Sequence, residues 1–174
     1  PKASLGRVDG LEGKGVSDDQ AVIGGRWQLI MALERGLDRA GEGGKVKEGT
    51  GNGNTKEGNG PTYMDKSERS GIRMHDFIDA ERFEEVIRET CARKNRVITG
   101  VYGGDPLDAD AIIDEYRAYA DRLRPMVRHT TVLTYEAVTA GQEVLFEGAQ
   151  GTLLDLDMGT YPYFPSSHPV TGGC

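Results

Sequence analysis

The sequence predicts an α/β fold that is mostly helical with a few strands, and three observations lead there. Short apolar runs of strand length occur at 21–23, 97–101 and 144–146. Longer stretches between them repeat apolar residues every three or four positions, as helices do. Clusters of Gly, Asn, Asp and Pro separate one kind from the other. The most informative run is Val144-Leu145-Phe146, which reads as a buried strand and breaks at Glu147-Gly148. Gln150 then sits just past the carboxyl end of that strand, where open α/β sheets usually hold ligands. Gly148, Gly151 and Gly159 allow close backbone approach or positive φ along the turn.

From the beginning of the chain, Gly13-Lys14-Gly15 places a lysine among glycines in the manner of a phosphate loop. A phosphate loop needs a buried strand before it and a helix opening directly after it, so that amides and helix dipole face the phosphate. Neither is legible here, and the segment reads as a helix end stopped by glycine. Ala21-Val22-Ile23 follows as a short strand. Trp27, Ile30, Met31, Leu33 and Leu37 then predict an amphipathic helix that ends at Gly41, with Trp27 in the core.

Composition changes abruptly over 41–60, to Gly, Asn, Lys, Glu and Thr. Such a stretch buries no core and is too long for a plain connector, so it is either a flexible excursion or a ligand loop. Thr55 and Lys56 are donors of the kind a phosphate receives among glycines. Residues 62–73 form a mixed-charge turn or short helix. Its Arg69 and Arg73 are either solvated surface groups or anion clamps, since a planar guanidinium can bind phosphate through two parallel bonds.

Asp79 caps a helix with Phe83, Val86, Ile87 and Cys91 on one face. Arg88, Arg93, Lys94 and Arg96 make its far end basic, which suits the negative end of the helix dipole. A strand at 97–101 and a turn at Gly103-Gly104-Asp105-Pro106 come next. A second helix opens near Asp108 or Asp110, carries Ile112, Tyr116, Tyr119 and Leu123 inward, and stops at Pro125. A short helix around 135–138 leads through Gly141 to Val144. His75, His129 and His168 lack a partner carboxylate at metal or triad spacing and receive no role. Asp155 and Asp157 fall on one face of an extended segment, either as an acid–base or magnesium pair or as anchors of a turn.

The bulk properties bound the partners. The formal net charge of −7 gives no broad attraction to nucleic acid or an anionic membrane, so an anionic ligand needs a local basic site. Two cysteines, Cys91 and Cys174, support neither a disulfide framework nor a zinc knuckle, and a reducing compartment is expected. No apolar run reaches transmembrane length. Both chain ends read as cut from a longer protein, and the 174 residues as one partial domain.

The run Phe146-Glu-Gly-Ala-Gln-Gly-Thr-Leu-Leu-Asp-Leu-Asp-Met-Gly-Thr-Tyr-Pro-Tyr163, with Ser166-Ser167 and Gly172-Gly173, closely resembles the adenylosuccinate synthetase family. Val16–Ile23, Gly58–Tyr63 with Arg69–Arg73, and Leu123–Val127 agree in the same order. The resemblance implies a central fragment of a P-loop-related synthetase fold with a largely parallel sheet, of which 41–60 is the glycine-rich nucleotide loop. It also implies the family's chemistry, GTP- and Mg2+-dependent ligation of L-aspartate to inosine monophosphate through a 6-phosphoryl intermediate. A cytoplasmic homodimer with shared sites follows from the same likeness.

By that resemblance Thr55 matches the threonine that binds the nucleotide phosphate, Arg69 the arginine that reaches the phosphate in the neighbouring subunit, and Gln150 the residue that hydrogen-bonds the purine. The GTP loop, the catalytic aspartate and histidine and the aspartate-binding loop are expected outside these residues, so no catalytic residue and no metal ligand is assigned and the fragment is expected to be inactive alone. Two departures stand out. The family's Val-Thr-Ser-Ser reads Phe164-Pro165-Ser166-Ser167, and its paired threonines read Asn54-Thr55. They leave two alternatives, a related synthetase acting on a guanine-type nucleotide and a non-catalytic nucleotide-binding or dimerisation module.

Overall fold

A computed structural model describes residues 1–15, 21–47, 57–163, 165–170 and 172. Among these residues seven helices and two short strands follow one another: α1 (Lys2–Glu12), β1 (Ile23–Gly24), α2 (Ala32–Lys47), α3 (Asn59–Glu68), α4 (Met74–Ile78), α5 (Ala80–Gly100), α6 (Ala109–Leu123), β2 (Val127–Arg128) and α7 (Thr130–Thr139). The strands pair in parallel, Ile23 with Val127 and Gly24 with Arg128. The α/β class is therefore borne out, with helices dominating. No helix among the described residues is long and apolar enough to cross a membrane.

The core lies where α2, α4, α5 and α6 meet. Phe77 of α4 stands edge-on to Phe83 of α5, with ring centroids 5.2 Å apart, and edge-on to Tyr116 of α6. Tyr116 in turn packs against Tyr119, so the tyrosine stripe is core as its spacing predicts. Asp79 caps α5 by accepting from the Arg82 amide. Asp108 caps α6 by accepting from the Asp110 and Ala111 amides, and Pro125 turns the chain into a 3-10 turn at Arg124–Met126. The glycine-bounded end of α1 is also as expected: Gly13 closes the last turn onto the Asp9 carbonyl and Gly15 takes φ 78°.

Four expectations are corrected. Trp27 is 58% exposed and lies before α2, outside any helix. Residues 27–31 run extended beside 72–74, with Leu29 N donating to Ile72 O and Met74 N to Trp27 O. Leu29 and Met31 are the residues buried, a spacing of two that the helical reading of the same residues conceals. Second, α2 does not stop at Gly41 but continues to Lys47, so the first part of 41–60 is helical. A mid-helix glycine costs only about 1 kcal/mol, which packing can override. Third, 97–101 is not a strand. It is the last turn of α5, because Ile98 extends the buried stripe of Cys91 and Lys94, and burial outweighs the strand preference of Val and Ile. The four basic residues thus lie along the middle of the helix, not at its end.

The fourth correction concerns 144–146. No strand forms there, and Leu145 is 91% exposed. A strand needs a neighbour to accept and donate its ladder bonds, and none of the described residues supplies one.

Candidate functional site

The site residues hang on the loops around α3. Before it, Gly58 takes φ 86° and gives its amide to the Asp38 carboxylate of α2 at 2.8 Å. Thr62 Oγ1 returns a bond to the Gly58 carbonyl at 2.8 Å. These bonds fix where the 41–60 loop enters α3. Thr55, the phosphate-binding threonine of the resemblance, lies outside the described residues, as does its neighbour Lys56.

After α3, Arg69 adopts the left-handed conformation with φ 66° and is exposed. The turn is held from within: the Asp65 carbonyl accepts from Ser70 N at 2.9 Å and from Gly71 N at 3.1 Å. The Asp65 carboxylate receives Lys94 Nζ of α5 at 2.5 Å, and Glu34 Oε1 of α2 lies 3.6 Å from the same ammonium. Burial raises the Glu34 carboxyl above its ordinary range even though Lys94 and the Met31 amide favour its ionised form. One helix away, burial pushes the Cys91 thiol up to about 11, which keeps it protonated and unreactive.

Gln150 carries the other unusual backbone, with φ 76°. The expected flexibility of the glycines falls elsewhere than the sequence suggested. Gly148 and Gly151 have neither positive φ nor a close neighbour. Gly159 does need to be glycine, because a Cβ there would stand 2.4 Å from the Asp155 carbonyl oxygen. Gln150 Oε1 accepts from Ser167 Oγ at 3.3 Å, and Oγ of the adjacent Ser166 stands 4.0 Å from where a Cβ on Gly60, in the first turn of α3, would lie. The Gln150 loop and the entry to α3 are thereby brought to one corner of the molecule.

Asp155 closes the long loop that carries these residues. It is 1% exposed, and its carboxylate accepts from the amides of Asp157 at 2.9 Å and Met158 at 3.1 Å. Burial pushes its carboxyl up, but the amides of Asp157, Met158 and Val170 and the His168 ring outweigh it and hold the group below its ordinary value. Of the two readings of the aspartate pair, the turn anchor is the one observed. The view that His168 lacks a carboxylate partner is corrected: its Nδ1 stands 3.5 Å from Asp155 and 3.7 Å from Asp157. Loop closure makes this contact, and nothing in the spacing foretells it. The three groups could converge on a cation, yet Asp155 already serves backbone amides and an imidazole is a poor magnesium ligand, so they do not fit Mg2+.

Among the described residues no hydrogen bond or ion pair links Arg69 to Gln150. A pocket of about 390 Å³ beside α3 is lined by Arg26, Trp27, Gln28, Thr62, Tyr63 and Lys66 among others, and neither of the two predicted residues lines it.

A parallel strand pair flanked by helices, with polar loops displayed around one of them, defines a segment of an α/β protein built on a parallel sheet. The sequence model of adenylosuccinate synthetase matches residues 1–174, and the chain belongs to that family. It is 46% identical over 99% of its length to the adenylosuccinate synthetase of Caldanaerobacter subterraneus subsp. tengcongensis, covering 40% of that protein. It is 49% identical over 94% of its length to that of Heliobacterium modesticaldum, covering 38%. The structure of fully ligated adenylosuccinate synthetase from Plasmodium falciparum is similar, with a TM-score of 0.87 at 27% identity, over 99% of this chain and 39% of that one. The chain thus spans about 40% of the length of the relatives it matches.

Proposed function

We propose that these residues form the nucleoside-monophosphate-binding part of a ligase that joins L-aspartate to inosine monophosphate, yielding adenylosuccinate for AMP synthesis in the cytoplasm. The carrying observation is that Ser167 bonds Gln150 while Ser166 stands beside the first turn of α3, because this sets the base-reading loop near the helix that the phosphate loop enters. Gln150, with its carbonyl turned to Ser167, offers amide N–H donors to acceptors on the purine edge. The Thr55 hydroxyl and the Arg69 guanidinium supply phosphate donors, the latter through two parallel charge-assisted bonds. Their chemistry agrees with a homodimer in which Arg69, exposed at the end of α3, serves the neighbouring subunit's nucleotide.

In this reading the GTP γ-phosphoryl group passes to the purine 6-oxygen, and the aspartate amine then displaces it as inorganic phosphate. The residues described here bind and orient the nucleotide; GTP, magnesium and the catalytic groups are assigned to the remainder of the family enzyme. Pro165 favours a second reading. It stands where a phosphate-binding threonine is expected and offers neither hydroxyl nor amide hydrogen, which suits a non-catalytic binding or dimerisation module.

The test is an assay of GTP-dependent aspartate ligation by a full-length family enzyme carrying this segment, with inosine and guanosine monophosphates as alternative substrates. Turnover with inosine monophosphate is expected. Turnover with the guanine nucleotide alone rejects that substrate, and nucleotide binding without turnover establishes the module.

A further inference from the structure

We propose that Arg93 is a positioning residue for Arg69, gripping the residues on either side of it and so fixing the direction in which its guanidinium leaves α3. This rests on reading Arg69 as a phosphate-binding group.

From the middle of α5, Arg93 Nη1 donates to Glu68 Oε2 at 2.5 Å and to Ser70 Oγ at 2.6 Å, and Nη2 donates to the Ser70 carbonyl at 3.3 Å. Ser70 Oγ itself donates to Glu68 Oε2 at 2.7 Å, so the three side chains close a ring of bonds on the residues before and after Arg69. Behind this ring, Asp65 holds the amides of Ser70 and Gly71 and is held by Lys94. Arg69 sits in the left-handed region, a conformation unfavourable for a non-glycine residue that persists where its surroundings over-determine it.

The alternative for a residue at this position is to continue the helix, which would turn the side chain to another face. The grip of Arg93 on both neighbours opposes that flip. A long cation aimed in advance loses less rotamer freedom on meeting an anion, and the gain goes directly into affinity. One nitrogen, Nη1, reaches both side chains and the second, Nη2, adds the Ser70 carbonyl, so lysine at 93 keeps the ion pair but loses that carbonyl bond. The Arg93 side chain is 29% exposed and that of its partner Glu68 63%, so water screens the pair, and its loss is expected to cost the fold little.

The experiment uses a full-length family enzyme carrying this segment and compares Arg93→Gln, Arg93→Lys, Arg69→Ala and the Arg93→Gln/Arg69→Ala double variant. Arg93→Gln is expected to raise KM for inosine monophosphate about tenfold, about one charge-assisted hydrogen bond, with KM for GTP and Tm nearly unchanged. Arg93→Lys, which keeps a cation for Glu68 and Ser70 Oγ, should raise KM for inosine monophosphate less than Arg93→Gln does. In the Arg69→Ala background Arg93→Gln should add nothing, since a positioning residue has no effect without the group it positions. Effects that multiply, or an equal rise in KM for GTP, overturn the inference while leaving Arg69 in its role. An Arg69→Ala variant with unchanged KM for inosine monophosphate removes the phosphate reading and the positioning role with it.

Discussion

Lys94 of α5 and Asp65 of α3 form a 2.5 Å ion pair with the lysine only 3% exposed. Long apolar stripes flank it, and Glu34 of α2 completes the group. A buried charge is tolerated only while its partners remain. Three helices are thus tied at one point by charges that none of them carries as a pair within its own sequence.

Replacing Lys94 with methionine keeps much of the volume, leaves Glu34 without its cation and leaves Asp65 only Arg93 at 3.9 Å. The expected cost is about 3–5 kcal/mol of unfolding free energy, measured by denaturant titration of the full-length protein. A cost under about 1 kcal/mol would show that the pair contributes no more than a surface bridge.

Glu34 predicts a slope with pH. Its folded-state pKa lies above the ordinary value of 4.5, so the folded protein holds this proton more tightly than the unfolded chain does. Its contribution is fully present below that value and is lost as pH rises through the raised folded pKa. Glu34→Gln, which can still accept from the Met31 amide, should flatten this part of the stability profile; an unaltered slope would assign it to other groups.

Asp155 predicts the opposite sign. Its folded-state pKa is depressed, so its contribution is present above the ordinary aspartate value and is lost as pH falls through the folded pKa. Asp155→Asn should remove that acid-side loss and speed hydrogen exchange at the Asp157 and Met158 amides. Retained protection of those amides would show that the turn stands without its anchor.

The proposed homodimer with shared sites predicts complementation. When Arg69→Ala and Gln150→Ala subunits are mixed and allowed to exchange, half the dimers are hybrid and one of their two sites regains both residues. Activity should recover to about one quarter of the unmutated level, since each two-fold dimer presents its sites in pairs. No recovery in exchanged samples would place Arg69 and Gln150 in the same subunit's site.

The sequence by itself determined the family, through one long run of residues from Phe146 to Tyr163, and the local features whose causes are local. The caps Asp79 and Asp108, the stop at Pro125, the glycine end of α1 and the inward tyrosines all arise within a few residues of where they act. The tertiary structure decided what depends on distant partners. Residues 27–31 are extended because 72–74 lies beside them, and 97–101 is helical because its inward face is buried. Val144–Phe146 has the composition of a strand but finds no partner strand among the described residues. Lys94 reads as a helix-end charge and proves to be a buried tie, because charge patterning in one helix carries no information about carboxylates on two others. Arg69 and Gln150 could be named from the motif, but their left-handed backbones and the neighbours that hold them came only with the fold.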